Sequence, residues 1–212
     1  MLQVMISLSR PLTPEEARAR YVTDFEKSGR QASWSMSMPF LVEALATVDL
    51  ANPRSVDSAT KAAEAIGESK DPAGVEALIR VAQMPPNKKL IAAQIACIRS
   101  LGAFVRDRAV AAGALIELVG RAPPLHPRTA VAGGRREAEE RFALHLAVTG
   151  AAINALGPWR VPAAAKPLVL AMYRTPELFT QIRRSLVASG GKAKDEVRAV
   201  LRNEHKEVNQ LF

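Results

Sequence analysis

The sequence predicts an all-α protein, an α-solenoid of antiparallel helix pairs with about ten helices and one loop insertion near 121–135. Three observations carry that expectation. First, a phrase of small and apolar residues at helical spacing, closed by glycine, recurs along the chain. It reads Ala62-Ala63-Glu64-Ala65-Ile66-Gly67, then Cys97-Ile98-Arg99-Ser100-Leu101-Gly102, then Ala152-Ile153-Asn154-Ala155-Leu156-Gly157, with a weaker copy at Leu186-Val187-Ala188-Ser189-Gly190. Second, Gly67 and Gly102 stand 35 residues apart and Gly157 and Gly190 stand 33 apart, the period of a stacked helix pair. Third, alanine supplies 37 of 212 residues while aromatics make up 5%. Small side chains suit closely packed helices, whereas sheets favour β-branched and aromatic residues.

Residues 1–12 read as an N-terminal arm, and the solenoid spans 13–203. Thr13-Pro14-Glu15-Glu16 starts a helix, with Thr13 as cap, Pro14 at the first position and Glu16 completing a capping box. Ala17, Tyr21, Val22 and Phe25 form its apolar stripe, and Gly29 ends it. A polar stretch over 30–37 holds Trp34. A second helix over 39–48 sets Phe40, Leu41, Ala44, Leu45 and Val48 on one face, making 13–48 a divergent first pair.

The regular repeats begin with Ser55 as N-cap of a helix over 56–66 that stops at Gly67. Asp71-Pro72 restarts the chain as cap and first-turn proline, Val75, Leu78, Ile79 and Ala82 give the next helix its apolar face, and Pro85-Pro86 breaks it. The second pair covers 87–101, burying Ile91, Ile95, Ile98 and Leu101, and 107–120, burying Val110, Leu115, Leu118 and Val119. The third covers 136–156 and 162–173, the fourth 176–189 and 193–203, and 204–212 forms a tail or cap. Gly102 and Gly157 stand 55 residues apart, well beyond one period, and the excess falls at 121–141. Pro123, Pro124, Pro127 and Gly133-Gly134 forbid regular helix across the first part of that span. Insertions in solenoids map to loops on one face, often the binding face.

The stretch 59–83, with Ala62, Ala63, Ala65, Ile66 and Gly67, then Asp71-Pro72, then Val75, Ala77, Leu78 and Ile79, resembles the short HEAT-like repeat, the bacterial type also found in phycobilisome lyases. The resemblance is clearest there and extends over 91–119 and 148–172. It implies a right-handed stack in which first helices line a convex side, second helices line a concave side, and partners bind along the concavity. It carries over no catalytic residue.

Chemistry-bearing patterns are sparse. His126, His145 and His205 have no Cys or carboxylate at ligand spacing. No Gly-x-Ser-x-Gly and no phosphate loop exists. Cys97, among Ile95, Ala96 and Ile98, reads as a small buried hydrophobe, and His145 as a hydrogen-bonded structural histidine. No cofactor and no metal are expected. No segment reaches the roughly 20 apolar residues of a membrane span, and Met1 to Leu8 lacks the marks of a signal peptide. The expected location is therefore cytoplasmic.

Charge gives the functional lead. Residues 1–82 carry 9 basic and 11 acidic side chains, residues 83–194 carry 17 and 6, and residues 195–212 carry 3 and 4. A basic body suits an acidic partner. Arg80, Arg106, Arg108, Lys166, Arg174, Arg198 and Arg202 stand on or beside second helices, where the HEAT-like resemblance would turn them into the concavity. Arg121, Arg128, Arg135 and Arg136 mark the insertion, with Arg141 one turn later. Trp159, in an interhelical turn, is expected to pack between repeats, and Trp34 to anchor a partner. The expected function is a non-catalytic scaffold that binds an acidic protein surface through its concave face and basic insertion, as an oligomer or a subunit of a larger complex. The alternative is a nucleic-acid-binding repeat protein, since a groove lined by arginines can hold a phosphate backbone as in HEAT-type DNA-base glycosylases. A lyase-like or glycosylase-like enzyme is the third reading, and no motif supports it.

Overall fold

The computed structural model describes residues 38–104, 108–129 and 134–211. The expected arm, the helix expected from Thr13, Trp34 and Arg106 lie outside those residues. The elements below belong to the compact unit Phe40–Phe212. Among the described residues it is all-helical, with no strand.

Residues 40–46 are helical, with Leu45 fully buried. Phe40, expected on the buried face, is 71% exposed. Nine further helices follow among the described residues: α1 (Pro53–Ser69), α2 (Val75–Gln83), α3 (Ile91–Leu101), α4 (Arg108–Gly120), α5 (Arg135–Leu156), α6 (Ala165–Arg174), α7 (Phe179–Ser189), α8 (Gly191–Leu201) and the short α9 (Lys206–Asn209).

Local chemistry fixes the helix starts. Asn52, not Ser55, caps α1: its Oδ1 accepts the Arg54 N–H at 3.1 Å, with Pro53 at the first position. Ser55 instead accepts the Asp49 N–H through Oγ, at 2.9 Å. Asp71 caps the 3-10 turn Pro72–Gly74 that leads into α2, its Oδ1 accepting the Ala73 N–H at 2.9 Å. The proline restarts at Pro162 and Pro176 likewise open 3-10 turns before α6 and α7. At α3 a turn over 87–90 replaces the expected first helical turn.

The repeated glycines divide into two kinds. Gly67 does not stop α1, which runs on to Ser69 and ends at Lys70 in the left-handed region, φ 54°. Its reason is space: a Cβ there would lie 2.5 Å from Ser100 Oγ on α3. A Cβ at Gly102 would lie 3.1 Å from Ala155 Cβ on α5, and one at Gly157 3.1 Å from Ser185 Oγ on α7. Only Gly190, at φ 71°, works as a conformational stop, between α7 and α8.

Contacts run from α1 to α3 to α5 to α7, and separately from α2 to α4 to α6 to α8. Across the two rows α2 packs on α3, α4 on α5 and α6 on α7. Ile66, Leu78, Ile98, Leu101, Leu115, Ile153, Leu168 and Ile182 are fully buried between them. In α3 Gln94 is buried, its Nε2 donating to the Met84 carbonyl at 2.8 Å where Pro85 has broken α2, while Ile91 and Ile95, expected inside, are half-buried. In α4 the alanines Ala111, Ala112 and Ala114 join Leu115, Leu118 and Val119 inside. Val110, expected among them, is 60% exposed. It shares the outward stripe of Gly113 and Glu117, which follow at i+3 and i+7. Trp159 is buried after α5, beneath the Arg108 guanidinium at 5.7 Å. No helix among the described residues is long and apolar enough to cross a membrane.

Candidate functional site

The loop that follows α4 is built on His126. Residues 122–126 have no regular structure, and Pro127–Thr129 form a 3-10 turn. His126 Nδ1 accepts the Arg128 N–H at 3.1 Å, and Thr129 Oγ1 donates to the His126 carbonyl at 2.8 Å. With Nδ1 accepting, the ring proton sits on Nε2, which stands 3.4 Å from Glu177 Oε1 in the turn before α7. The ring also meets Phe142 of α5 edge to face, with centroids 4.8 Å apart. The loop is thus tied to α5 and to the start of α7 through one side chain. Leu125 (63% exposed) and Arg128 project from it into solvent.

The expected cationic residues fall into three groups. The first is engaged in structure. Arg108 covers Trp159. Arg174 Nη1 donates to the Gly120 carbonyl at 3.3 Å, across to the C-terminal end of α4, where a cation is favoured by the helix dipole. Arg121, the next residue after α4, faces Glu117 at 3.6 Å. Lys166 Nζ meets Glu207 Oε1 of the tail at 2.7 Å, which raises the lysine pKa and lowers the glutamate's, each through that hydrogen bond first. Val208 is buried beside that pair, and His205 caps α9, its Nδ1 accepting the Val208 N–H at 3.3 Å. Segment 204–211 therefore folds back onto α6.

The second group is paired along its own helix. Arg135 meets Glu139 at 3.0 Å, Arg141 pairs with Glu137, and Arg198 stands 3.6 Å from Asp195. Lys88 also reaches Glu140 at 3.5 Å. The first two turns of α5 therefore present interleaved charges, not a basic stripe. The third group, Arg80, Arg128, Arg136 and Arg202, is exposed and makes no side-chain ion pair or hydrogen bond among the described residues. Of the expected residues, Arg121 and Arg174 meet at the end of α4, and Arg121 and Arg141 line one cavity; Trp34 lies outside the described residues.

Reactive groups are scarce. Cys97 is fully buried, and burial pushes its thiol pKa up to about 12, far from a usable thiolate. No group of three or more His, Cys, Asp or Glu able to hold a metal occurs among the described residues. His145 is buried in α5 with Nε2 3.4 Å from Thr149 Oγ1. Burial, and then the charge of Arg121, holds its pKa below the ordinary imidazole value.

Sequence reasoning missed one grouping. Arg141, His145 and Thr149 line a common cavity with Arg121. Their i, i+4, i+8 spacing is a legible signal for one helix face; the approach of Arg121 is not, because it depends on how α4 meets α5. No family model matches the chain, and no curated protein and no solved structure matches it.

Proposed function

We propose that the chain is an α-solenoid of the HEAT-like kind and serves as a non-catalytic scaffold for an acidic protein surface. The ordered contacts α1–α3–α5–α7 and α2–α4–α6–α8 support the stacked-repeat reading. The observation that carries the function is the anchored insertion. His126 ties the loop to Phe142 and Glu177 while Leu125 and Arg128 face solvent, so an apolar and a guanidinium anchor are offered with little ordering left to do on binding. Arg136 stands exposed at the first turn of α5 on the far side of the same insertion. Arginine there suits planar pairing with a partner's carboxylates. Interleaved glutamates on α5 favour a protein face over a uniform phosphate backbone.

The test is site-specific photo-crosslinking from position 125 in native extract, compared with position 76 on α2. A defined protein captured from 125, lost in the Arg128→Glu/Arg136→Glu double variant, supports the reading. Equal capture from both positions defeats it. So does binding to duplex DNA whose affinity falls steeply with salt and whose salt slope the double variant flattens, the signature of released phosphate counterions.

A further inference from the structure

A cavity of about 340 Å³ opens between the end of α4, the loop that follows it and the middle of α5. Its polar wall is Arg121, Arg141, His145 and Thr149, and its apolar wall includes Leu118 and Val148. The size falls near the lower end of the roughly 300–1,000 Å³ of small-molecule sites.

Both guanidiniums have donors to spare. Arg121 stands 3.6 Å from Glu117, beyond hydrogen-bond reach, and among the described residues its guanidinium makes no hydrogen bond. Glu117 is meanwhile held elsewhere, its Oε2 accepting from Gln83 Nε2 at 2.8 Å. Arg141 pairs with Glu137, which engages only part of its five-donor fork. Each positive charge is thus partly matched already, and a single negative charge fits the remainder better than two. His145 adds a neutral hydrogen-bonding ring at pH 7, because burial and Arg121 hold its pKa down. Thr149 adds a hydroxyl.

We propose that this cavity binds a small organic monocarboxylate, its carboxylate held by Arg121 and Arg141 and its apolar body against Leu118 and Val148. Such a site is independent of the scaffold reading, since it needs neither a concave face nor a macromolecular partner. A compact dianion without an apolar body is expected to be a poor ligand, and a neutral isostere of the carboxylate another.

The test is an NMR titration of the full chain with benzoate, benzamide and inorganic phosphate. Benzoate is expected to saturate, with shifts centred on His145, Val148 and Thr149, and to raise the His145 pKa, since an anion beside the ring favours the imidazolium. Arg121→Gln and Arg141→Gln are each expected to weaken benzoate about tenfold, the worth of one charged hydrogen bond. Lys192→Gln, on α8, is expected to change nothing. Arg141 is exposed, so its variant keeps the test intact should Arg121→Gln impair folding. Non-saturating shifts, benzamide binding as well as benzoate, phosphate binding more tightly at the same residues, or full affinity in Arg141→Gln would each overturn the proposal.

Discussion

Gly67 lies so close to Ser100 that a Cβ on the glycine would come within 2.5 Å of the serine Oγ. This contact sets the approach of α1 to α3, and Gly102 against Ala155 and Gly157 against Ser185 repeat it at α5 and α7.

Gly67→Ala is therefore expected to destabilise the fold by about 1–3 kcal/mol through overpacking. In an open helix the same change gains up to about 1 kcal/mol. Gly113, with nothing near its missing Cβ on the outward stripe of α4, supplies that contrast: Gly113→Ala is expected to stabilise by about 0.5–1 kcal/mol. Urea unfolding midpoints of both variants check the pair, and a stabilised Gly67→Ala would remove the close-approach explanation.

His145 imposes a pH dependence of definite sign. Its folded pKa lies below the ordinary value, so in mild acid the unfolded chain binds the extra proton. Its contribution is fully present above about pH 6.5, begins to fall below that, and is gone below the folded pKa. His145→Gln is expected to flatten the loss of stability between about pH 7 and 5, read from denaturation midpoints across that range. A variant with an unchanged or steeper slope contradicts the assignment.

Cys97 is expected to resist thiol reagents. Buried, with its pKa pushed up to about 12, it should stay unmodified by iodoacetamide at neutral pH in the native protein and react fully in urea. Mass spectrometry of the two samples decides; rapid native labelling would mean that α3 opens readily.

The C-terminal segment is held more by burial of Val208 and His205 than by the Lys166–Glu207 pair, which is exposed and screened by water. Val208→Asp is expected to release 204–211, seen as fast hydrogen exchange there with α1–α5 still protected. Lys166→Ala is expected to leave that segment protected. The reverse ranking would assign the hold to the ion pair.

Much of this fold was legible in the sequence, because alanine-rich phrases, Asp71-Pro72 and the prolines of the insertion mark element boundaries through local chemistry. The meaning of Gly67 was not. A glycine that ends a helix and one that admits a neighbour look alike in sequence, and only Ser100, 33 residues away, separates the two. Val110 and Phe40 misled for a related reason: an apolar residue at helical spacing is turned inward or outward by which side of its helix meets a neighbour. At the candidate site, the pairing of Arg135 with Glu139 and of Arg141 with Glu137 follows from i, i+4 spacing. The link from Arg174 to the Gly120 carbonyl instead spans 54 positions and is set by packing of α6 on α4.

The principal helix contacts join segments that are near one another along the chain. Such a chain orders itself without first closing long loops, and low contact order goes with rapid folding. Lys206–Asn209 reaches back as well, Glu207 meeting Lys166 of α6, while His205 before it lies 3.4 Å from Glu196 of α8. This four-residue helix, buried only through Val208, is expected to be the first of these elements to come free.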